Sequence, residues 1–382
     1  MQHNETDDVP PAPDVIASTG ALHDGTAHDG TAHDSTAHDS TAHDSAPPKP
    51  TNSWVKQALS LGLGGLFLWL SFRNTDFATL WDRVQHLNVT WLWVIVVVSL
   101  ISHWLRALRW VIMLQPLAEH KISVWNSFCA VMIGYLVNIA IPRGGEVARV
   151  ISISKSESIP WAGVVPTMFI DRLLDVAMLV LLIGITLIML PSDIKEHITW
   201  LVPSGVAMCA ATVVGLFLLP KSGLIIKAIV GQPVVKDRLP PRIVTMALHL
   251  GEQFDRGTKS LSDPVKFPAI GLLSIAIWFC YWLNFYCCVF AFDLQSKIDI
   301  SRSLMMFTIG SVGVLVPTPG SVGTYHYAVS QAMTLIGGID PATALAFATV
   351  VHALSFVVLT AIVGAICIAV QSITVKRNQG GN

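Results

Sequence analysis

The sequence has few charged residues and lacks the motifs that mark most soluble enzymes. Charged residues make up 13% of its 382 residues, against about 25% in typical soluble domains. It contains no Gly-x-x-x-x-Gly-Lys-Ser/Thr loop and no zinc-ligand spacing, and none of its six cysteines lies in a redox motif. The net charge of −1 gives a nucleic-acid partner no electrostatic support. We therefore expect no catalytic activity, cofactor, metal ion or nucleic-acid partner.

Long apolar runs account for most of what is present. Hydrophobic residues make up 52% of the chain, and the mean hydropathy is +0.58. A membrane-spanning helix needs about 20 mostly apolar residues. Six stretches qualify: Trp54–Phe72, Val89–Leu114, Phe169–Leu190, Trp200–Leu219, Phe267–Phe292 and Ala342–Val370. The sequence therefore predicts an all-α integral membrane protein with about six spanning helices.

The first 50 residues differ from the rest. They contain a five-residue repeat in which a histidine precedes an aspartate, at His23, His28, His33, His38 and His43. This stretch has too few apolar residues to compensate for the conformational entropy that is lost when a chain becomes ordered. We therefore expect a disordered tail at 1–50 and a membrane domain at 51–376. We expect this repeat to be solvated and without a role, and metal binding by a histidine-rich tract is the alternative.

The distribution of basic residues predicts the orientation in the membrane. The loop 220–266 is rich in Lys and Arg, whereas the loop 191–199 offers only Lys195. Short basic loops stay in the cytoplasm, and basic residues also flank both ends of the apolar region. We therefore predict an inner (plasma) membrane protein with cytoplasmic N- and C-termini. In addition, Phe77 and Trp81 fall on one face of a short amphipathic helix, as expected at a membrane surface.

Two further apolar segments, Val124–Ile141 and Leu304–Ile336, are interrupted by helix breakers. If either crossed the membrane completely, the ends of the chain would not match the charge distribution. We therefore predict two re-entrant helical hairpins that enter from opposite sides and form an inverted repeat, an arrangement that marks transport sites. The alternative is eight full crossings. The predicted breaks are Pro142, Gly144 and Gly145 in the first hairpin, and Pro317, Pro319, Gly320 and Gly323 in the second.

Polar residues at membrane depth are the candidate substrate pathway, because such residues are costly there and usually functional. Glu146 and Arg149 are three residues apart on a helix and can pair, while Arg143 at the break can bind an anionic headgroup. A purely structural ion pair at the interface is the alternative. The full candidate set is Asn138, Arg143, Glu146, Arg149, Asp171, Arg172, Asp175, Tyr325 and His326.

Two pairs of residues leave several interpretations open. His326, next to Tyr325, can take part in a proton step near neutral pH, or it can be a hydrogen-bonded structural residue. Arg106 and Arg109 are most simply a cytoplasmic anchor of their helix, although they can also attract anionic lipid.

Three motifs carry a resemblance to a known family: GYLVNIAIPRGGEVARV, FIDRLLDVAMLV and VPTPGSVGTYHYA. Together they resemble the flippase-like membrane region of the lysylphosphatidylglycerol synthase family, over roughly residues 54–372, with a stand-alone bacterial member as the nearest type. One departure is His326, where similar proteins usually carry a glutamate. The transferase domain of the family is also absent from the chain, so synthesis of a lysyl-lipid by this chain alone is not expected.

The resemblance implies a function in lipid movement. It implies that a lipid or lipid-linked group with an anionic headgroup moves between leaflets, the headgroup passing between the two hairpins. A partner transferase is also compatible with the family. The alternative function is therefore a non-transporting membrane subunit that supports a glycosyl- or aminoacyl-transferase acting on lipids.

Overall fold

The fold of the described residues is helical. The computed structural model describes residues 53–73, 77–141, 144–190, 199–233, 240–257 and 263–379. The predicted tail and its histidine repeat lie outside the described residues, as do Pro142 and Arg143. The helices are α1 (Ser53–Phe72), α2 (Phe77–Gln85), α3 (Val89–Leu114), α4 (Val124–Ala140), α5 (Gly144–Ser156), α6 (Trp161–Met189), α7 (Leu201–Leu218), α8 (Ser222–Val230), α9 (Pro241–Gly257), α10 (Lys266–Ala291), α11 (Ile300–Gly313), α12 (Thr324–Gly337), α13 (Pro341–His352) and α14 (Leu359–Gln379).

Within the described ranges, five helices are long and apolar enough to cross a membrane. They are Val89–Leu117, Trp161–Met189, Leu201–Lys221, Lys266–Ala291 and Pro341–Ser372. These match five of the six predicted spans. The remaining prediction coincides with α1, of which Leu61–Phe72 counts only as a shorter apolar helix. The expectation of a helical, multi-pass membrane protein is confirmed to this extent.

One predicted boundary was wrong. The span expected to begin at Phe169 begins at Trp161, so Asp171, Arg172 and Asp175 lie inside α6 and do not mark its end. The predicted span began only two residues before these charges, because an isolated ion is expensive in an apolar medium. Their partners on neighbouring helices remove that reason to end the helix.

The first interrupted segment forms a pair of packed helices, α4 and α5, which we call the first hairpin. Small residues allow the close approach, as in many membrane helix pairs. A Cβ built on Gly145 would overlap the carbonyl oxygen of Gly134, and one built on Gly134 would lie 2.9 Å from the carbonyl oxygen of Gly145. The Asn138 Oδ1 accepts a hydrogen bond of 2.8 Å from the Gly145 N–H, which ties the two helices near the break.

The second interrupted segment forms the second hairpin, α11 and α12, joined through a short 3₁₀ turn at Pro319–Ser321. Gly320 and Gly323 have φ values of +55° and +88°, so the predicted glycine breaks coincide with left-handed backbone. This turn lies against the end of the first hairpin, since a Cβ on Gly320 would be 3.7 Å from the Ile139 Cα. The two hairpins therefore meet at their tips.

Two apolar clusters share the long helix α3. One contains Ile95, Phe285 and Phe347, and the other contains Trp110 and Ile170. The helix α3 contributes Ile95 to the first cluster and Trp110 to the second. Arg106 and Arg109 lie in the last third of α3, next to Trp110.

Gly338 caps the C-terminus of α12, and substituting it tests the cost of left-handed backbone alone. Its φ is +61° and its N–H bonds to the Met333 carbonyl, but nothing lies within 4 Å of an added Cβ. Gly338→Ala should therefore cost about 1 kcal/mol of unfolding free energy, from backbone conformation alone. Denaturation in detergent micelles measures it. Gly271→Ala, inside α10 with equally open space, should be neutral or stabilising; equal losses in both variants would contradict the backbone explanation.

Candidate functional site

Asp171 on α6 is the centre of a buried ionic network. Its side chain is fully buried and contacts arginines from two other helices. The Arg109 Nη2 lies 2.6 Å from Oδ1, while the Arg106 Nη1 and the Arg149 Nη1 lie 3.2 Å and 2.9 Å from Oδ2. One carboxylate therefore joins α3, α5 and α6.

Asp175 supports the same two arginines of α3. Its Oδ2 is 2.7 Å from the Arg106 Nη1, and its Oδ1 is 2.8 Å from the Arg109 Nη2. Helical spacing explains the match, since residues three or four apart share a face. Remaining donors are engaged on α10, where Arg106 bonds to the Tyr281 hydroxyl at 3.1 Å and Arg109 to the Ser274 hydroxyl at 2.9 Å.

Glu146 and Arg172 form the more exposed edge of the network. Their side chains are 27% and 36% exposed, and their charged atoms are 3.3 Å apart. The predicted pair between Glu146 and Arg149 was therefore wrong. Although the two share α5, Arg149 points to the buried Asp171 and Glu146 to Arg172 on α6.

Arg149 has hydrogen-bonding capacity left over. It is 2% exposed, and its guanidinium carbon lies 3.7 Å from the centre of the Trp110 ring. Its Nη1 bonds to Asp171, but its Nε and Nη2 find no hydrogen-bond partner among the described residues. The same holds for the Arg172 Nε and the Glu146 Oε2. Because buried donors without partners are rare in native proteins, this is the part of the network best able to accept a ligand.

The network as a whole is positive. It contains four arginines and three carboxylates, Arg106, Arg109, Arg149, Arg172, Asp171, Asp175 and Glu146, so its formal charge is 4 − 3 = +1. Arg and phosphate or carboxylate groups form strong bidentate hydrogen bonds. A bound monoanion would therefore leave the network formally neutral.

Comparison with known proteins identifies the family. A family model described as the lysylphosphatidylglycerol synthase TM region matches residues 57–363. The chain belongs to this family.

A curated relative extends this comparison. The glycosyltransferase AglD of Haloferax volcanii is 24% identical over 282 residues, which cover 67% of this chain and 45% of AglD. The chain thus spans less than half the length of that relative. No solved structure matches the chain. The resemblance predicted from the three motifs is confirmed at the level of the family, and the protein is a multi-pass membrane member of it.

In this family member, the predicted site residues fall into two groups. Glu146, Arg149, Asp171, Arg172 and Asp175 come together in the network. Asn138 lies beside them but serves the break of the first hairpin, and Arg143 is outside the described residues.

Tyr325 and His326 form the second group, in the second hairpin. Both rings lie near His352 of α13, with centroid distances of 5.2 and 5.0 Å. The Gly323 N–H donates to the His326 Nδ1 at 3.4 Å. The His352 Nε2 is 2.9 Å from the Gly320 carbonyl oxygen. These contacts hold the tip of the second hairpin and are separate from the ionic network.

Sequence reasoning missed the roles of Arg106 and Arg109. They had been interpreted as an anchor at the cytoplasmic boundary, which was wrong, because they are 3% and 0% exposed and are paired with aspartates. A usable signal was present: two arginines three residues apart in one apolar helix, and two aspartates four apart in another. Each pattern places two charges on one face.

A chain of rings runs from the second group to His103 on α3, near the network. It runs from His326 through His352, Phe356 and Tyr135 to His103, with successive centroid distances of 5.0, 5.6, 5.8 and 5.3 Å. Phe356 belongs to a π-helical segment, Ala353–Val358, between α13 and α14. Such segments often occur at functional sites. The rings link the second hairpin to the first hairpin and to α3, one turn before Arg106.

Proposed function

We propose that the protein translocates a lipid or lipid-linked group between the leaflets of a membrane, with the headgroup passing between the two hairpins. The observation that carries this proposal is Arg149. It is almost fully buried, yet two of its N–H groups are uncommitted within the described part of the chain. If no ligand ever bound them, these buried N–H groups would lower the stability of the fold, because they lose their hydrogen bonds to water and gain none in exchange.

The chemistry of Arg149 favours an anionic headgroup. Its free N–H groups lie on a guanidinium fork, which matches the oxygens of a phosphate. Arg172 adds another free N–H nearby in the network, and the Glu146 Oε2 offers an acceptor. A headgroup with a phosphate and a neighbouring hydroxyl or amine would satisfy all of them.

The arrangement of the hairpins supports passage between them. Each is a closely packed helix pair with a break at its tip, and the tips are in contact near Gly320 and Ile139. In the predicted orientation they enter from opposite faces and constitute an inverted repeat, as in many secondary transporters. Cysteine labelling in intact cells tests this orientation: residues 144–156 should react from the cytoplasmic side only.

Arg149→Lys tests the substrate site directly. Lysine keeps the positive charge beside Asp171 but removes the fork, so the exchange of labelled phosphatidylglycerol between leaflets of reconstituted vesicles should fall about tenfold or more. Melting of the purified protein shows whether the fold survives. Arg242→Lys on the exposed face of α9 is the same substitution outside the network and should leave exchange unchanged.

Glu146→Gln is a second variant for the same lipid-exchange experiment. It removes an acceptor at the more exposed edge, where the ion pair itself contributes about 0–1 kcal/mol. Exchange should fall while stability stays nearly constant. Wild-type exchange rates in both Arg149→Lys and Glu146→Gln vesicles would rule out the assigned headgroup site.

The second candidate function is support of a transferase. It is favoured by the similarity to AglD, which is named a glycosyltransferase and of which this chain matches 45%. In that case, vesicles containing the purified protein would show no lipid exchange. A deletion strain would instead lack a modified lipid, and adding the partner enzyme to membranes with the protein would restore its synthesis.

A further inference from the structure

Tyr135 on α4 lies beside the ionic network, although neither the sequence nor the ion pairs assign it a part there. The residue before it, Gly134, contacts α5: a Cβ added to Gly134 would lie 3.1 Å from the Arg149 Cβ. The ring centroid of Tyr135 lies 5.3 Å from that of His103 on α3. His103 precedes Arg106 by about one helical turn. Tyr135 is therefore next to arginines of two different helices.

The hydroxyl of Tyr135 lies close to three guanidinium groups. Its oxygen interacts electrostatically with Arg106, Arg149 and Arg172. In its ionised form it would interact with Arg172 more strongly than Asp175 does, and the Asp175 Oδ2 is 3.9 Å from the Arg172 Nη1. These interactions agree with the backbone and ring contacts of Tyr135. The hydroxyl thus faces the arginines that carry the uncommitted N–H groups of the network.

Packing holds the Tyr135 ring in place. Besides His103, it contacts the Phe356 ring of the π-helical segment, with 5.8 Å between the centroids and 64° between the planes. It also packs against the apolar cluster that contains Trp110. A side chain that is already held by its neighbours loses little freedom when a ligand binds to it. The hydroxyl is therefore presented to the network in advance of binding.

The Tyr135 hydroxyl is uncommitted. It forms no hydrogen bond within the described part of the chain, whereas the hydroxyl of Tyr281 accepts one of 3.1 Å from Arg106. Tyr135 is half-buried and its hydroxyl oxygen remains accessible, so a ligand can reach it. Arginine side chains can only donate hydrogen bonds, while a phenol both donates and accepts. The phenolic proton therefore needs an acceptor that the surrounding arginines cannot provide.

We propose that the Tyr135 hydroxyl donates a hydrogen bond to a phosphate oxygen of the headgroup at Arg149, and that this contact makes the site selective for phosphate over carboxylate. The contact rests on the proposed function, which places a phosphate at Arg149. The guanidinium fork can hold two oxygens, and a carboxylate has no others. A phosphate group offers further oxygens, so only a phosphate can use the fork and the hydroxyl together. Sites that hydrogen-bond a ligand group discriminate strongly against analogues that lack it.

Tyr135→Phe tests the contact, because it removes the hydroxyl and keeps the ring. Dioctanoyl phosphatidylglycerol is titrated into the full-length protein in detergent micelles, and calorimetry gives the dissociation constant. This constant should rise about tenfold, as expected for the loss of one hydrogen bond to a charged group. Melting without lipid should stay near that of the wild type, since the hydroxyl has no partner to lose among the described residues.

A carboxylate lipid separates a ligand contact from a structural role. The same diacylglycerol with a succinate headgroup should bind to the wild type and to Tyr135→Phe with nearly equal affinity, because the fork of Arg149 engages both of its oxygens. Disturbed packing would weaken the binding of both lipids alike, and that result would overturn the proposal. The affinity ratio of the two lipids therefore measures the contact itself.

Tyr286→Phe is the matched control. Tyr286 lies on α10 with its ring stacked on Trp282, 5.3 Å between the centroids, and it should bind phosphatidylglycerol as the wild type does. Photolabelling of the wild type adds a measurement that needs no variant. Dioctanoyl phosphatidylglycerol with a diazirine on its headgroup should form adducts in the segment 131–138. Absence of these adducts, or an unchanged dissociation constant in Tyr135→Phe, would overturn the contact.

Lipid exchange in vesicles distinguishes a failure of this contact from a failure of the proposed function. If Tyr135→Phe lost phosphatidylglycerol affinity in micelles while the wild type gave no exchange in vesicles, translocation would be rejected and the contact upheld. If Arg149→Lys slowed exchange while Tyr135→Phe bound phosphatidylglycerol as the wild type does, the contact would be overturned and translocation upheld.

Discussion

Asp171→Asn is expected to destabilise the membrane domain by about 3–5 kcal/mol, because it leaves buried charges without their partner. Asp171 contacts Arg106, Arg109 and Arg149. Without its charge, the formal charge of the network would rise from +1 to +2, and only Asp175 would remain between the two arginines of α3. Thermal melting in detergent micelles measures the loss, together with the yield of protein in the membrane fraction.

Asp82→Asn is the matched control for this experiment. Asp82 is also paired with a basic residue, His86, but the two side chains are 64% and 76% exposed. Exposed pairs contribute about 0–1 kcal/mol, so this variant should melt close to the wild type. If Asp171→Asn also melted close to the wild type, the network would not hold the helices together.

A compensating substitution separates charge balance from loss of contacts. Combining Asp171→Asn with Arg149→Gln returns the formal charge of the network to +1. The loss in the double variant should therefore be smaller than the sum of the two single losses. A coupling of about 0.5–3 kcal/mol is usual for residues in one network.

Local patterns were sufficient to predict most of the helices. Apolar runs of about 20 residues identified five spans, because length and hydropathy alone determine whether a helix suits a bilayer. The glycine breaks of the second hairpin were also readable, since the left-handed backbone found at Gly320 and Gly323 favours residues without a Cβ. Both features depend on a few neighbouring residues.

The ionic network depends on contacts between distant segments, which explains the errors there. Arg109 and Asp171 are 62 residues apart in sequence, and nothing local shows that α3 and α6 face each other. A charge near the end of an apolar run looks the same whether it reaches the interface or is buried with a partner. For this reason Arg106 was assigned to the boundary, and the start of α6 was placed too late.

The different burial of Glu146 and Arg149 explains their different ion-pair partners. Glu146 and Arg149 have suitable spacing for a pair, but Arg149 faces the interior and Glu146 the edge. In the proposed function, the free Nε and Nη2 of Arg149 would hold the headgroup phosphate while its Nη1 stays on Asp171.

Gly145→Ala is expected to destabilise the protein by about 3 kcal/mol, because overpacking a rigid contact forces the backbone to shift. The added Cβ would overlap the Gly134 carbonyl oxygen and lie 2.6 Å from atoms of the Asn138 side chain. Asn138 can rotate away, although that breaks its hydrogen bond to the Gly145 N–H. The carbonyl of Gly134 is backbone within α4 and can retreat only if the two helices separate.

Melting in micelles and lipid exchange in vesicles should therefore both respond to Gly145→Ala. Separation of α4 from α5 would carry Arg149 away from Asp171, so exchange should fall together with stability. Gly215→Ala in α7 adds the same methyl group where nothing lies within 4 Å, and its melting should stay near that of the wild type. Normal melting and exchange in Gly145→Ala would mean that α4 and α5 are too far apart in the membrane for Gly145 to contact the Gly134 carbonyl. The first hairpin could not then position Arg149 as proposed.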